Sequence, residues 1–160
     1  MDNICDVALG ELGAKIGIPS LKFDSAGCCQ LAFDSRWLVT MIHAPAVQRL
    51  VLSCLLSSSD GLNNARTLVS MLRANFLGSG CAGGSLGVSP DGKPCLQYQL
   101  AYAELGEQVL LARIESLLDQ AELWSERLQR GESDSAPGAE KTKHGLIDGG
   151  LAPSWMLGRV

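Results

Sequence analysis

The stretch 9–34, LGELGAKIGIPSLKFDSAGCCQLAFD, constrains the fold most, because its hydrophobic period changes from helical to strand-like within a few residues. Leu9, Leu12 and Ile16 stand at i, i+3 and i+7 and share a helical face, with Glu11 and Lys15 on the solvent side. Gly17 and Pro19 end that helix, since glycine takes the left-handed conformation after a last turn and proline cannot continue it. From Ser20 the period is two, with Leu21 and Phe23 opposite Lys22 and Asp24. Ser25, Ala26 and Gly27 read as a turn, after which Cys29, Leu31 and Phe33 repeat the apolar face against Cys28, Gln30, Ala32 and Asp34. The expectation is two strands whose greasy side is covered by the first helix.

The rest of the chain extends that sheet. Residues 37–43 (WLVTMIH) are rich in strand formers and apolar on both faces, as for a central strand covered on both sides. Residues 48–56 alternate Leu50, Leu52, Cys54 and Leu56 against Arg49, Val51, Ser53 and Leu55 and read as a strand. A helix follows to about Phe76, capped by Ser59 or Asp60, with its face at Leu62, Ala65, Val69, Leu72 and Phe76. Residues 85–89 and 94–102 form a hairpin around Pro90-Asp91-Gly92-Lys93, with Leu96, Tyr98, Leu100 and Tyr102 on one side. A last helix, 106–130, carries the stripe Leu110, Ile114, Leu117, Ala121, Trp124 and Leu128. The fold class is α+β, helix-strands-helix-strands-helix around a twisted, mainly antiparallel sheet, with one domain at 1–130 and a flexible C-terminal tail at 131–160. The tail is polar until Trp155, Met156 and Leu157.

Several function classes are weakened by the same residues. The net charge of −4, without a basic cluster, argues against nucleic-acid binding. No apolar run approaches the roughly 20 residues that span a bilayer, and the acidic start is no export signal, so a soluble, cytoplasmic protein without membrane insertion is expected. Six cysteines without a C-x-x-C read as reduced thiols, with Cys5, Cys29 and Cys54 as small core residues. His43 and His144 are too far apart for a zinc pattern, so no metal and no cofactor is expected. The glycines at 78–84 formally contain G-x-G-x-x-G but follow a helix instead of a strand, so a flexible loop is expected there. A thiol enzyme would need Cys28, Cys29 or Cys81 activated by His43 or His144, and no motif supplies the orienting third group. The chain reads as a binder, not an enzyme.

The run Leu9, Leu12, Gly13, Ile16, Gly17, Ile18, Pro19, Leu21, Phe23, Asp24, Gly27, Leu31, Phe33 and Asp34, with the element order above, resembles the class I type III secretion chaperones, the Tir-chaperone (CesT-like) family. The resemblance covers roughly residues 5–130, and the multi-effector chaperones of plant pathogens look closest. It implies a homodimer in the bacterial cytoplasm that binds N-terminal segments of secreted effector proteins, keeps them non-globular and delivers them to the secretion ATPase. The groove between the first helix and first strands is then the effector site, with Leu9, Leu12, Ile16, Leu21, Phe23, Leu31 and Phe33 as candidates, most of them core and a minority lining the groove. Leu62, Ala65, Val69, Leu72 and Phe76 are the candidate dimer contact. The alternative within the resemblance is a regulator that sequesters an anti-activator.

Overall fold

The computed structural model describes residues 4–57, 62 and 64–130; the tail and the expected helix caps Ser59 and Asp60 lie outside the described residues. The elements run α1 (Ile4–Lys15), β1 (Cys28–Phe33), β2 (Trp37–Ala44), β3 (Arg49–Leu55), α2 (Ala65–Ala74), β4 (Ser85–Val88), β5 (Pro94–Ala101) and α3 (Glu107–Arg130). The strands form one antiparallel sheet in the order β1-β2-β3-β5-β4. This is the expected α+β architecture.

α1 and α3 lie on one face of that sheet. Cys5, Ala8, Leu9 and Leu12 of α1 and the whole α3 stripe are buried with Cys29, Leu31, Val39, Met41, Leu50, Leu52, Cys54, Leu96, Tyr98 and Leu100 in a single core. Each strand contributes alternate residues, as a pleat with one covered face requires.

Two local expectations are corrected. Residues 20–24 form no strand, because their backbone is satisfied locally. Ile18 N–H donates to Gly13 O, Leu21 N–H to Ile18 O, and the Asp24 carboxylate accepts from Ala26 and Cys28 N–H. The glycine loop after α2 is packed, not loose: Trp124 Nε1 donates to Gly80 O at 3.0 Å, Tyr98 hydroxyl to Cys81 O at 3.1 Å, and Cys81 is fully buried. A third difference lies in β2, whose second face is not covered among the described residues: Leu38 and Ile42 remain exposed beside buried Trp37, Val39 and Met41. α2 starts later than expected, with Asn64 as cap accepting from Arg66 N–H at 2.9 Å.

Candidate functional site

The angle between α1 and the sheet is set by a glycine pair. Gly17 takes a φ of +79°, and Ile18 N–H returns to Gly13 O at 2.7 Å, the six-to-one bond that closes a helix with a left-handed residue after its last turn. A Cβ on Gly13 would stand 2.5 Å from Ile18 O, so only glycine lets the chain fold back this tightly. The segment after α1 then passes beside the outer edge of β1, where Asp24 N–H donates to Cys28 O at 2.8 Å. His43 anchors it from the sheet side, its ring 5.8 Å from Phe23 and 5.6 Å from Tyr102.

The named groove residues fall into two groups. Leu9, Leu12 and Leu31 are buried in the core at 0%, 1% and 7% exposure. Ile16, Leu21, Phe23 and Phe33 are partly buried and pack on that core from its margin. The structure adds exposed apolar side chains at Ile4, Val7 and Ile18, which are 43%, 46% and 42% exposed. Ile4, Val7 and Ala14 share the outer side of α1 with the exposed Glu11, and Ile18 follows the helix after Gly17.

β1 is an edge strand with backbone groups to spare. His43 N–H donates to Gly27 O, so the alternate residues Gly27, Cys29, Leu31 and Phe33 face β2 and the backbone of Cys28, Gln30 and Ala32 points outward. Asp24 takes up both groups of Cys28. Gln30 and Ala32, both exposed, keep their N–H and C=O turned to solvent.

A second surface is the uncovered face of the sheet. The register sets Gln30, Thr40, Ser53, Gln97 and Ser85 in one row, Cys28, Ile42, Val51 and Gln99 in another, and Ala32 beside Leu38 and Leu55 beside Cys95 in a third. These three rows carry no charge, and the next row of the same face, Ala44, Arg49 and Ala101, brings in the exposed Arg49. Next to the β4 edge, α2 exposes Val69, Leu72 and Phe76 at 45%, 69% and 72%, with Leu68 and Leu77 nearby, while Ala65 is exposed and Leu62 half-buried. Only Met71 of α2 is buried. An apolar strip of this kind marks an interaction surface.

The thiol chemistry considered from the sequence finds poor geometry. Cys28 pairs with Ile42 on the open face, whereas His43 pairs with Leu50 on the helix side, so the two side chains leave the sheet in opposite directions. Burial pushes the thiols of Cys29 and Cys81 up, which keeps them protonated near neutrality and therefore unreactive. His144 lies outside the described residues. A trough of about 370 Å³ along α3, lined by Gln108, Val109, Ala112, Arg113 and Ser116, is open and carries a single charged side chain. Among the described residues no group of three or more His, Cys, Asp or Glu could hold a metal, and no helix is long and apolar enough to cross a membrane.

The sequence and the fold both have counterparts. The model of the Tir chaperone protein (CesT) family matches residues 8–125. The transcriptional anti-antiactivator ExsC of Pseudomonas aeruginosa is 32% identical over 133 residues, 79% of this chain and 86% of that protein. The crystal structure of the ExsC-ExsE complex contains a chain that superposes with a TM-score of 0.70 at 28% identity, covering 81% of this chain and 98% of that one. The HopA1-SchA chaperone-effector complex gives 0.66 at 22% identity, covering 77% and 94%. A complex of the Yersinia pestis type III secretion chaperone SycH with a fragment of YscM2 gives 0.62 at 20%, covering 75% and 98%. The last two are likenesses of fold.

Proposed function

The chain belongs to the Tir chaperone (CesT) family, and from that premise we propose that it binds an extended segment of a secreted effector protein along β1 and the outer side of α1. The observation that carries this reading is the open edge at Gln30 and Ala32, in a chain that also exposes the apolar side chains of Ile4, Val7 and Ile18. An extended segment must be ordered on binding, at a cost of about 2–5 kcal/mol, and main-chain pairing to a strand edge with pockets for alternate side chains offsets it. Ile16, Leu21, Phe23 and Phe33 form the margin against which those side chains pack, and Leu9, Leu12 and Leu31 form the floor. Two copies join through the strip of Val69, Leu72 and Phe76, with Leu62 and Ala65 at its start, and the open sheet face. Delivery to the secretion ATPase is the step this binding serves.

The likeness to ExsC favours a second reading, in which the same groove holds a regulatory protein and the output is transcriptional. Capture experiments with N-terminal fragments of secreted proteins and with regulators separate the two. Retention of a regulator alone overturns delivery.

Ala32→Pro tests the strand edge. The Ala32 N–H points away from β2, so proline costs the sheet no hydrogen bond and the protein folds, as judged by circular dichroism. Loss of that donor, with the ring in the path of an added strand, is expected to weaken capture at least about tenfold, or about 1.4 kcal/mol. A folded Ala32→Pro that binds like the wild type overturns the site.

A further inference from the structure

The two edges of the sheet are each partly closed by a residue of this chain, and to different extents. Ser89 N–H donates to Lys93 O, so the ladder alternation gives inward backbone groups to Ser85 and Gly87 and outward ones to Leu86 and Val88. The carboxamide of Asn75 occupies both outward groups of Leu86: its Nδ2 donates to Leu86 O at 2.9 Å and its Oδ1 accepts from Leu86 N–H at 2.7 Å. A side chain stands where a neighbouring strand would pair. Asn75 is held there by the last turn of α2, its own N–H donating to Met71 O and Leu72 O at 3.2 Å. At the other edge Asp24 takes up both outward groups of Cys28, its carboxylate accepting from Cys28 N–H and its own backbone N–H donating to Cys28 O. What remains differs: β1 keeps two outward residues, Gln30 and Ala32, and β4 keeps one, Val88.

We propose that Asn75 is an edge clamp that withholds β4 from strand pairing with β4 of a second copy, so that the sheet has one strand-accepting edge. β4 needs such a device because its sequence, SLGV, carries neither a charge nor a proline, the usual protections of an exposed edge. Without the clamp, Leu86 and Val88 would offer the same two-residue ladder that β1 offers. Two exposed apolar edges of this kind pair antiparallel and extend the sheet from copy to copy. The clamp thereby directs an incoming strand to β1; that consequence rests on the cargo site proposed above, whereas the clamp itself is tested without any cargo.

The test is Asn75→Ala, followed by light scattering across a concentration series and by amide hydrogen exchange. The Leu86 amide is expected to exchange at least tenfold faster at low concentration, and the mass to rise above that of the wild type as concentration increases. Val88→Pro added to Asn75→Ala removes the remaining outward donor without costing a ladder bond and is expected to restore the wild-type mass. Asn75→Asp keeps the acceptor for Leu86 N–H and falls between; should Asn75→Ala fail to fold, this variant carries the test through the same two readouts. A folded variant that keeps the wild-type mass at every concentration overturns the clamp, as does a Leu86 amide that stays protected. Association that Val88→Pro leaves unchanged overturns it too.

Discussion

α2 and α3 present apolar stripes of the same helical period, and the fold treats them in opposite ways. In α3, Leu110, Ile114, Leu117, Ala121, Trp124 and Leu128 are all buried on the sheet. In α2, the stripe containing Val69, Leu72 and Phe76 faces solvent, and the helix is held instead by Met71 and by the Asn75 clamp on β4. Period therefore identifies an apolar face without identifying what that face meets. The length of the helix is part of the physical reason. α3 has 24 residues and crosses the sheet, making contacts with β3, β5 and α1, whereas α2 has 10 and packs chiefly against the short edge strand β4.

Replacing a residue of each stripe sharpens that contrast. Leu117→Ala removes a side chain with no exposure and should cost about 2–5 kcal/mol of folding stability, measured by urea denaturation. A cost below about 1 kcal/mol would mean that α3 is no more committed to the core than α2. Alkaline pH probes how dry the α3 side is. Burial raises Cys54 from 9.0 to about 11, so the unfolded chain releases its thiol proton from pH 9 upward while the folded chain retains it. Stability present below pH 9 is lost as pH rises toward 11, by up to about 2–3 kcal/mol from this group. Denaturation curves of the wild type and Cys54→Ala should converge by that amount over this range, and parallel curves would show a wetter site. Leu72→Asp is the matching change on α2. Its side chain is 69% exposed, so the fold of each chain should change by no more than about 0.5 kcal/mol. The mass in solution should instead halve, and a dimeric Leu72→Asp would move the proposed dimer contact away from α2.

How much of the molecule could be read in advance follows from what each signal measures. The strands β2, β3 and β5 and the helix α3 were legible because long alternating or 3.6-residue patterns reflect a face turned toward the core. The strand expected at residues 20–24 failed because Leu21 and Phe23 alternate while the backbone is held by turns and by the Asp24 carboxylate, which hydropathy does not register. In the candidate site, Ile16, Leu21, Phe23 and Phe33 were named correctly as apolar, but their partial exposure depends on how the segment after α1 folds back. Ile4 and Val7 precede the stretch 9–34 and Ile18 lies within it, and only their exposure in the fold separates them from core residues.

The sequence by itself determined the element order, the α+β class, the inner faces of α1 and α3 and the likeness to secretion chaperones, because local periodicity and the run of glycines, proline and apolar residues at 9–34 encode them. Tertiary structure alone decided which apolar faces find cover. Both long-range helices fall on one side of the sheet, so the opposite face, the outer side of α1 and the α2 strip remain open. It also decided how the β4 edge ends, since Asn75 acts on Leu86 backbone groups eleven residues away that the fold brings to it.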